Sequence, residues 1–135
     1  MATIFSRIVQ GEIPSYKIAE DDRFFAFLDI NPIQCGHTLV IPKREIDYIF
    51  DLPPEEAGAL FIFTQRVAKA IQQVVTCKRI GVAVLGMEVP HAHIHLVPII
   101  HERDLSFSRP RCTMTHEAFS ELAQQISNAF NVSKI

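Results

Sequence analysis

His91-Ala92-His93-Ile94-His95-Leu96-Val97 is the stretch that decides how this chain is read. Its three histidines alternate with apolar residues, and the apolar run continues through Pro98-Ile99-Ile100. Alternation with a period of two belongs to a β-strand, where residues i, i+2 and i+4 share one face. As a strand, the stretch sets His91, His93 and His95 in a row on one side. Ala92, Ile94 and Leu96 then face a core. On a helix the same residues would scatter round the axis and bury nothing coherently.

The elements around this row fill in a fold. Upstream, Ile4, Phe5, Ile8 and Val9 give residues 3–11 one apolar helical face, stopped by Gly11. Tyr16 to Glu20 reads as a short strand. Phe24 to Ile30 is apolar on both faces until Asp29, as in a strand buried on both sides or lining a pocket. Asn31-Pro32 and Cys35-Gly36 mark a loop, and Thr38 to Ile41 is a strand ended by Pro42. These two strands pair antiparallel, with His37 at the mouth of the second. The longest element is a helix over 53–76. Asp51 is its expected cap, Pro53-Pro54 its first turn, and Leu60, Phe63, Val67, Ala70, Ile71 and Val74 its apolar stripe. Phe61, Ile62 and Val75 fall outside that stripe, which predicts a second partner and hence a homodimer through this helix. Ile80 to Leu85 is a strand leading through Gly86-Met87-Glu88-Val89-Pro90 into the histidine row. Residues 101–112 read as polar and irregular. Thr113 or Thr115 caps a last helix over about 115–131, with Phe119, Leu122, Ile126 and Phe130 on its apolar face. Strands, a long helix, strands and a last helix make an α+β domain, one domain over 1–135.

Composition narrows the function. The chain has 135 residues, 13 Lys plus Arg, 15 Asp plus Glu and a net charge of -2, with no basic stripe for a nucleic-acid backbone. No apolar run reaches membrane-spanning length, and the first residues carry no secretory signal pattern. Cys35, Cys77 and Cys112 are odd in number and widely spaced, which reads as three reduced thiols in a cytoplasmic protein.

A histidine row admits three readings. Polar residues on the outer face of a surface strand are the blandest. A metal site is the second, imidazole being the commonest metal ligand. Three collinear rings, however, span about 13 Å along a strand and do not easily converge on one ion. The third reading divides the labour: one imidazole is a nucleophile and its neighbours position a substrate oxyanion or handle a proton. Unprotonated imidazole attacks phosphorus well near its ordinary pKa of about 6.5, and a nucleotidylated imidazole is a good leaving group.

The residues that carry a family resemblance are now in view. His91-Ala92-His93-Ile94-His95-Leu96-Val97 resembles the H-φ-H-φ-H-φ-φ signature of the histidine triad nucleotide-binding superfamily. Thr3 to Pro14 is similar to that family's N-terminal segment. Ala26 to Pro32 and Gly36 to Lys43 are similar to its nucleotide cleft. The resemblance implies a five-stranded antiparallel sheet with a long helix and a C-terminal helix, and a homodimer. It implies an enzyme, a phosphoramidase-like nucleotidyl hydrolase, that binds a purine nucleotide such as AMP and forms a nucleotidyl-histidine on His93. Dinucleoside polyphosphate hydrolysis and a non-catalytic nucleotide-binding module are the alternatives. By the same resemblance His95 and His37 hold phosphate oxygens and His91 supports His93. Asp29 takes the ribose hydroxyls, a carboxylate being able to accept from two at once. Phe5, Ile8, Phe27, Leu28, Ile30 and Leu39 sandwich the base. Gly86 and Glu88 are counted among the nucleotide-binding residues, Glu88 either near the leaving group or as a plain turn residue.

The chain also departs from the family pattern. Many relatives place an asparagine before the triad, yet no Asn lies between residues 32 and 127. Gly86-Met87-Glu88 stands where many read Gly-Gln, so a thioether replaces an amide donor. Positions 3–9 lack the cysteine pair that supplies a zinc site in some bacterial relatives, so neither metal nor cofactor is expected.

Overall fold

The structure, a computed structural model, describes residues 2–132. Its elements run α1 (Ile4–Val9), β1 (Lys17–Glu20), β2 (Phe24–Leu28), β3 (Thr38–Pro42), α2 (Pro54–Val74), β4 (Arg79–Ala83), β5 (Ile94–Ile99) and α3 (His116–Val132). The five strands form one antiparallel sheet in the order β1-β2-β3-β5-β4. This is the α+β architecture expected from the order of elements.

Alternation assigns the two faces of the sheet. Phe24, Ala26 and Leu28 of β2, Val40 of β3 and Ile94 and Leu96 of β5 enter the main core. There they meet Leu60, Phe63, Val67, Ala70 and Ile71 of α2 and Phe119, Ile126 and Phe130 of α3. The residues between them, Phe25, Phe27, Leu39 and Ile41, form a second cluster on the opposite face, closed by Phe5 of α1. Strand β2 is therefore apolar on both faces because each face has its own cover. Truncating a ring as buried as Phe63 would cost roughly 3–5 kcal/mol.

Four expectations change. The histidine stretch becomes strand only at Ile94, so His91, in a bend, and His93 lie in the segment that leads into it. The ladder with β3 ends at the Val40–Ile94 pair, and upstream of it the Ala92 N–H donates to the Ile46 carbonyl instead. Asp51 does not cap α2. It sits in a single 3-10 turn, Ile49–Asp51, and Pro53 at the N-cap makes no side-chain bond. Val75, expected outside the stripe, packs against the main core, whereas Phe61 and Ile62 are indeed exposed. Finally, the cysteines are not three free thiols. Cys35 and Cys112 form a disulfide, with Cα atoms 6.1 Å apart, and only Cys77 is free. A separation of 77 residues concealed the pair. The chain after β5 returns to the β2–β3 loop, where the Cys112 N–H donates to the Pro32 carbonyl at 2.8 Å.

The caps follow local chemistry. Thr3 caps α1, accepting from the Ser6 N–H at 3.0 Å. Thr115 caps α3, accepting from the Ala118 N–H at 3.1 Å. Among the described residues no helix is long and apolar enough to cross a membrane.

Candidate active site

The β2–β3 connection builds one end of the site. Gly36 has φ +99°, and a Cβ there would lie 3.1 Å from side-chain atoms of both Pro98 and Val75. Only glycine lets the chain take this turn so close to β5. His37 follows immediately, two residues before Leu39, and Leu39 pairs with His95. The register therefore brings His37 beside His95.

The proton positions of this pair can be deduced. The Ile33 N–H donates to His37 Nδ1 at 3.2 Å, so a neutral His37 carries its proton on Nε2. That Nε2–H reaches His95 Nδ1 at 3.0 Å. The proton of His95 is thereby left on Nε2, where it is available to an anion. Asp29 Oδ2 lies 3.6 Å from His37 Nε2, and Asp29 Oδ1 accepts from the Asn31 N–H at 2.8 Å.

Burial dominates the electrostatics. It pushes His37 down to about 4, with the Arg111 and His93 charges acting the same way and Asp29 opposing them. It pushes His95 down to about 3, helped by His37, His93 and Arg111. Both rings are thus neutral at pH 7 in the free protein. This end of the row therefore offers neutral N–H donors rather than positive charge.

The other end of the row is arranged differently. The carbonyl of Pro42 lies 2.7 Å from His91 Nε2 and only accepts, so Nε2 carries the proton of a neutral ring. His91 Nδ1, 2.8 Å from Thr3 Oγ1, then accepts from the threonine hydroxyl. Burial lowers the His91 pKa, against the opposing pull of the Pro42 carbonyl and Glu45. His93 Nδ1 lies 2.7 Å from the His91 carbonyl and must donate to it. In the neutral ring this leaves His93 Nε2 with the lone pair. The Phe5 ring sits edge-on to His93 at 5.0 Å and to His91 at 5.8 Å between centroids.

Two grooves flank the row. One, of about 130 Å³, is lined by Phe5, Ile8, Phe27, Leu28, Asp29, Ile30 and Leu39 together with Ile4 and the Ile13–Ser15 turn. The structure thus brings every proposed base-contacting residue and Asp29 into one cleft. Leu28 lines it while packing in the main core, and Ile30 stands exposed at its lip. The other groove, of about 490 Å³, lies against Ala92 and His93 and is walled by Tyr48, Phe50, Phe61, Val84, Leu85 and Met87. Gly86 belongs to this larger groove, not to the cleft with Asp29. Glu88 is exposed and lines neither.

Sequence reasoning missed four residues here. Thr3 and Glu45 tie α1 to the row, Glu45 Oε1 accepting from the Thr3 N–H at 2.8 Å and from Ser6 Oγ at 2.7 Å. Phe107 lies edge-on to His95, 4.8 Å between centroids. Arg111 donates to the carbonyls of Asn31 and Phe107, both at 3.3 Å. An aromatic and a cation in the polar stretch 101–112 were the only signal for the last two. A ligand atom from each of Asp29, His37 and His95 lies within 4.8 Å of the others, close enough for one metal ion. Binding one would move the His37 proton to Nδ1 and displace the Ile33 N–H, so the geometry favours the hydrogen-bonded pair.

This fold and site define a histidine-triad protein, and comparison with known proteins agrees. The HIT domain family model matches residues 10–102, and the chain belongs to that family. It is 33% identical over 132 residues to an uncharacterized HIT-like protein of Borreliella burgdorferi, covering 92% of this chain and 95% of that one. It is 33% identical over 131 residues to an adenosine 5'-monophosphoramidase of Schizosaccharomyces pombe, covering 95% and 98%. A crystal structure of a Hit-like protein involved in cell-cycle regulation from Bartonella henselae superposes with a TM-score of 0.81 at 30% identity, covering 94% and 95%.

Proposed function

We propose that this protein hydrolyses a purine nucleoside phosphoramidate at the α-phosphate. The observation that carries the reading is the state of His93: its Nδ1–H is held by the His91 carbonyl at 2.7 Å, leaving Nε2 as a free nucleophile. His93 Nε2 attacks the α-phosphorus. The P–N bond breaks with its electron pair on nitrogen, which leaves as the amine after taking a proton. Water then attacks the nucleotidyl-histidine, releasing a nucleoside monophosphate and restoring the imidazole. The His95 Nε2–H donates to a phosphate oxygen as charge develops, and His37 holds His95 in that tautomer. Asp29 accepts from the ribose hydroxyls, and the apolar cleft beside it takes the base. The phosphoramidase activity named for the yeast relative supports this choice of bond over the dinucleoside polyphosphate alternative.

The larger groove is a different kind of surface. Phe50 (81%), Ile62 (64%), Leu85 (58%) and Met87 (88%) are exposed on or beside it, next to β4 at the edge of the sheet. We read this apolar face as the homodimer contact, with α2 at its centre. A monomer in size-exclusion chromatography at micromolar concentration would sink the dimer.

The enzymatic reading is tested by incubating the protein with adenosine phosphoramidate and following AMP release. Wild type releases AMP and His93→Ala does not. Binding of AMP without turnover in wild type would make the protein a nucleotide-binding module, and unchanged turnover in His93→Ala would defeat the mechanism.

A further inference from the structure

The N-terminal helix does more than wall the cleft. Its first turn is fastened to the chain after β3 by a single carboxylate. Glu45 Oε1 accepts from the Thr3 N–H, an orphan donor at the helix start, and from Ser6 Oγ, which is buried. Thr3 then uses both capacities of its hydroxyl oxygen. As N-cap it accepts from the Ser6 N–H, and it spends its only proton on His91 Nδ1. With Nε2–H on the Pro42 carbonyl, the His91 ring is held at both nitrogens. Its backbone N–H is held too, by the Val89 carbonyl at 2.8 Å. A residue fixed at three points has a fixed carbonyl, and that carbonyl sets the tautomer of His93.

We propose that Thr3 and Glu45 are positioning residues for His93. Glu45 locks the first turn of α1, Thr3 locks His91 from that turn, and His91 presents the carbonyl that fixes a His93 proton on Nδ1 and so turns Nε2 outward as the free nitrogen of the neutral tautomer. Neither residue touches the reacting atoms. The arrangement also joins the cleft to the nucleophile, because the same short helix carries Phe5 and Ile8 of the cleft wall and the Thr3 cap. This inference rests on reading His93 as the nucleophile.

The experiment pairs a disruptive with a conservative change at each position. Thr3→Val removes both bonds of the hydroxyl, and Thr3→Ser keeps them. Glu45→Ala removes the acceptor, and Glu45→Gln keeps an oxygen that accepts both bonds. With adenosine phosphoramidate, Thr3→Val should lower kcat about tenfold or more while KM stays within about threefold, and Thr3→Ser should recover most of the loss. Glu45→Ala should fall in the same direction by about fivefold, with Glu45→Gln close to wild type. Nitrogen-15 NMR of the histidine rings in the unliganded protein gives a second readout. It should find His91 protonated at Nε2 and His93 at Nδ1 in wild type. In Thr3→Val the His91 Nδ1 signal should move to that of an unbonded ring nitrogen. A wild-type kcat in Thr3→Val, an equal loss in Thr3→Ser, or His91 protonated at Nδ1 would each overturn the proposal. If wild type releases no AMP, the nucleophile reading falls, and the ring spectra still decide whether Thr3 and Glu45 hold the row.

Discussion

The two ends of the histidine row solve the same problem with different partners. At the His91 end, ring protons are set by two backbone carbonyls that can only accept, those of Pro42 and His91, and the Thr3 hydroxyl then donates to the nitrogen left over. At the His95 end, two imidazoles set each other, with one backbone N–H deciding the direction. Side chains of identical chemistry thereby acquire distinct tasks. One end leaves a ring nitrogen with a lone pair, which suits attack on phosphorus. The other leaves a ring N–H, which suits a phosphate oxygen. The difference lies in what each neighbour can donate or accept.

This contrast can be broken at either end. The largest effect should come from the proposed nucleophile: His93→Ala is expected to lower AMP release by about a thousandfold or more while AMP affinity, measured by calorimetry, changes little. Next, His95→Ala should lower kcat by about a hundredfold, since it removes the N–H donor from the phosphate. His37→Gln should cost less, because it removes only the partner that orients His95. Equal losses in these two variants would erase the proposed division between donor and support.

The His37–His95 end should also carry a pH signature that the free enzyme reveals by thermal melting. Both rings have folded pKa values below the ordinary 6.5, about 4 and about 3. Between those values and 6.5 the unfolded chain binds more protons than the folded one, so stability rises with pH. Their stabilising contribution is complete above about pH 6.5 and is lost as pH falls through the window toward 3. Wild type should therefore melt progressively lower from pH 7 to pH 4, and His37→Gln should flatten part of that slope. A parallel slope in the variant would remove His37 from the explanation. The smallest effect concerns the ribose. Asp29→Asn should raise KM for the phosphoramidate by a few fold and leave kcat nearly unchanged, because the amide oxygen still accepts but without charge.

Much of this molecule was legible in the chain because its signals are local. Apolar runs bounded by turn residues marked β2 and β3, and period-two alternation marked most of β5. The apolar stripes of α2 and α3 named their core faces, and the cap of the last helix was narrowed to Thr113 or Thr115, of which the structure uses Thr115. The site residues His37, His91, His93, His95 and Asp29 were visible as residue types in a pattern that resembles a known family. Other features were long-range and left no local trace. The strand start at Ile94 depended on the Ile46 carbonyl capturing the Ala92 N–H. The Cys35–Cys112 bridge depended on where the return segment runs. Glu45 carried no local mark of its role, because its partners Thr3 and Ser6 come from the other end of this part of the chain.

Sequence by itself determined which imidazoles lie together, because a two-residue repeat in an extended chain fixes their spacing whatever surrounds them. Tertiary structure decided what each imidazole is. A histidine ring has two nitrogens and one proton in its neutral form, and the group that meets each nitrogen chooses where that proton sits. Pro42 makes that choice for His91, with Thr3 donating to the other nitrogen, Ile33 makes it for His37, and the His91 carbonyl makes it for His93; Pro42 and Thr3 reach the row only after the chain has folded.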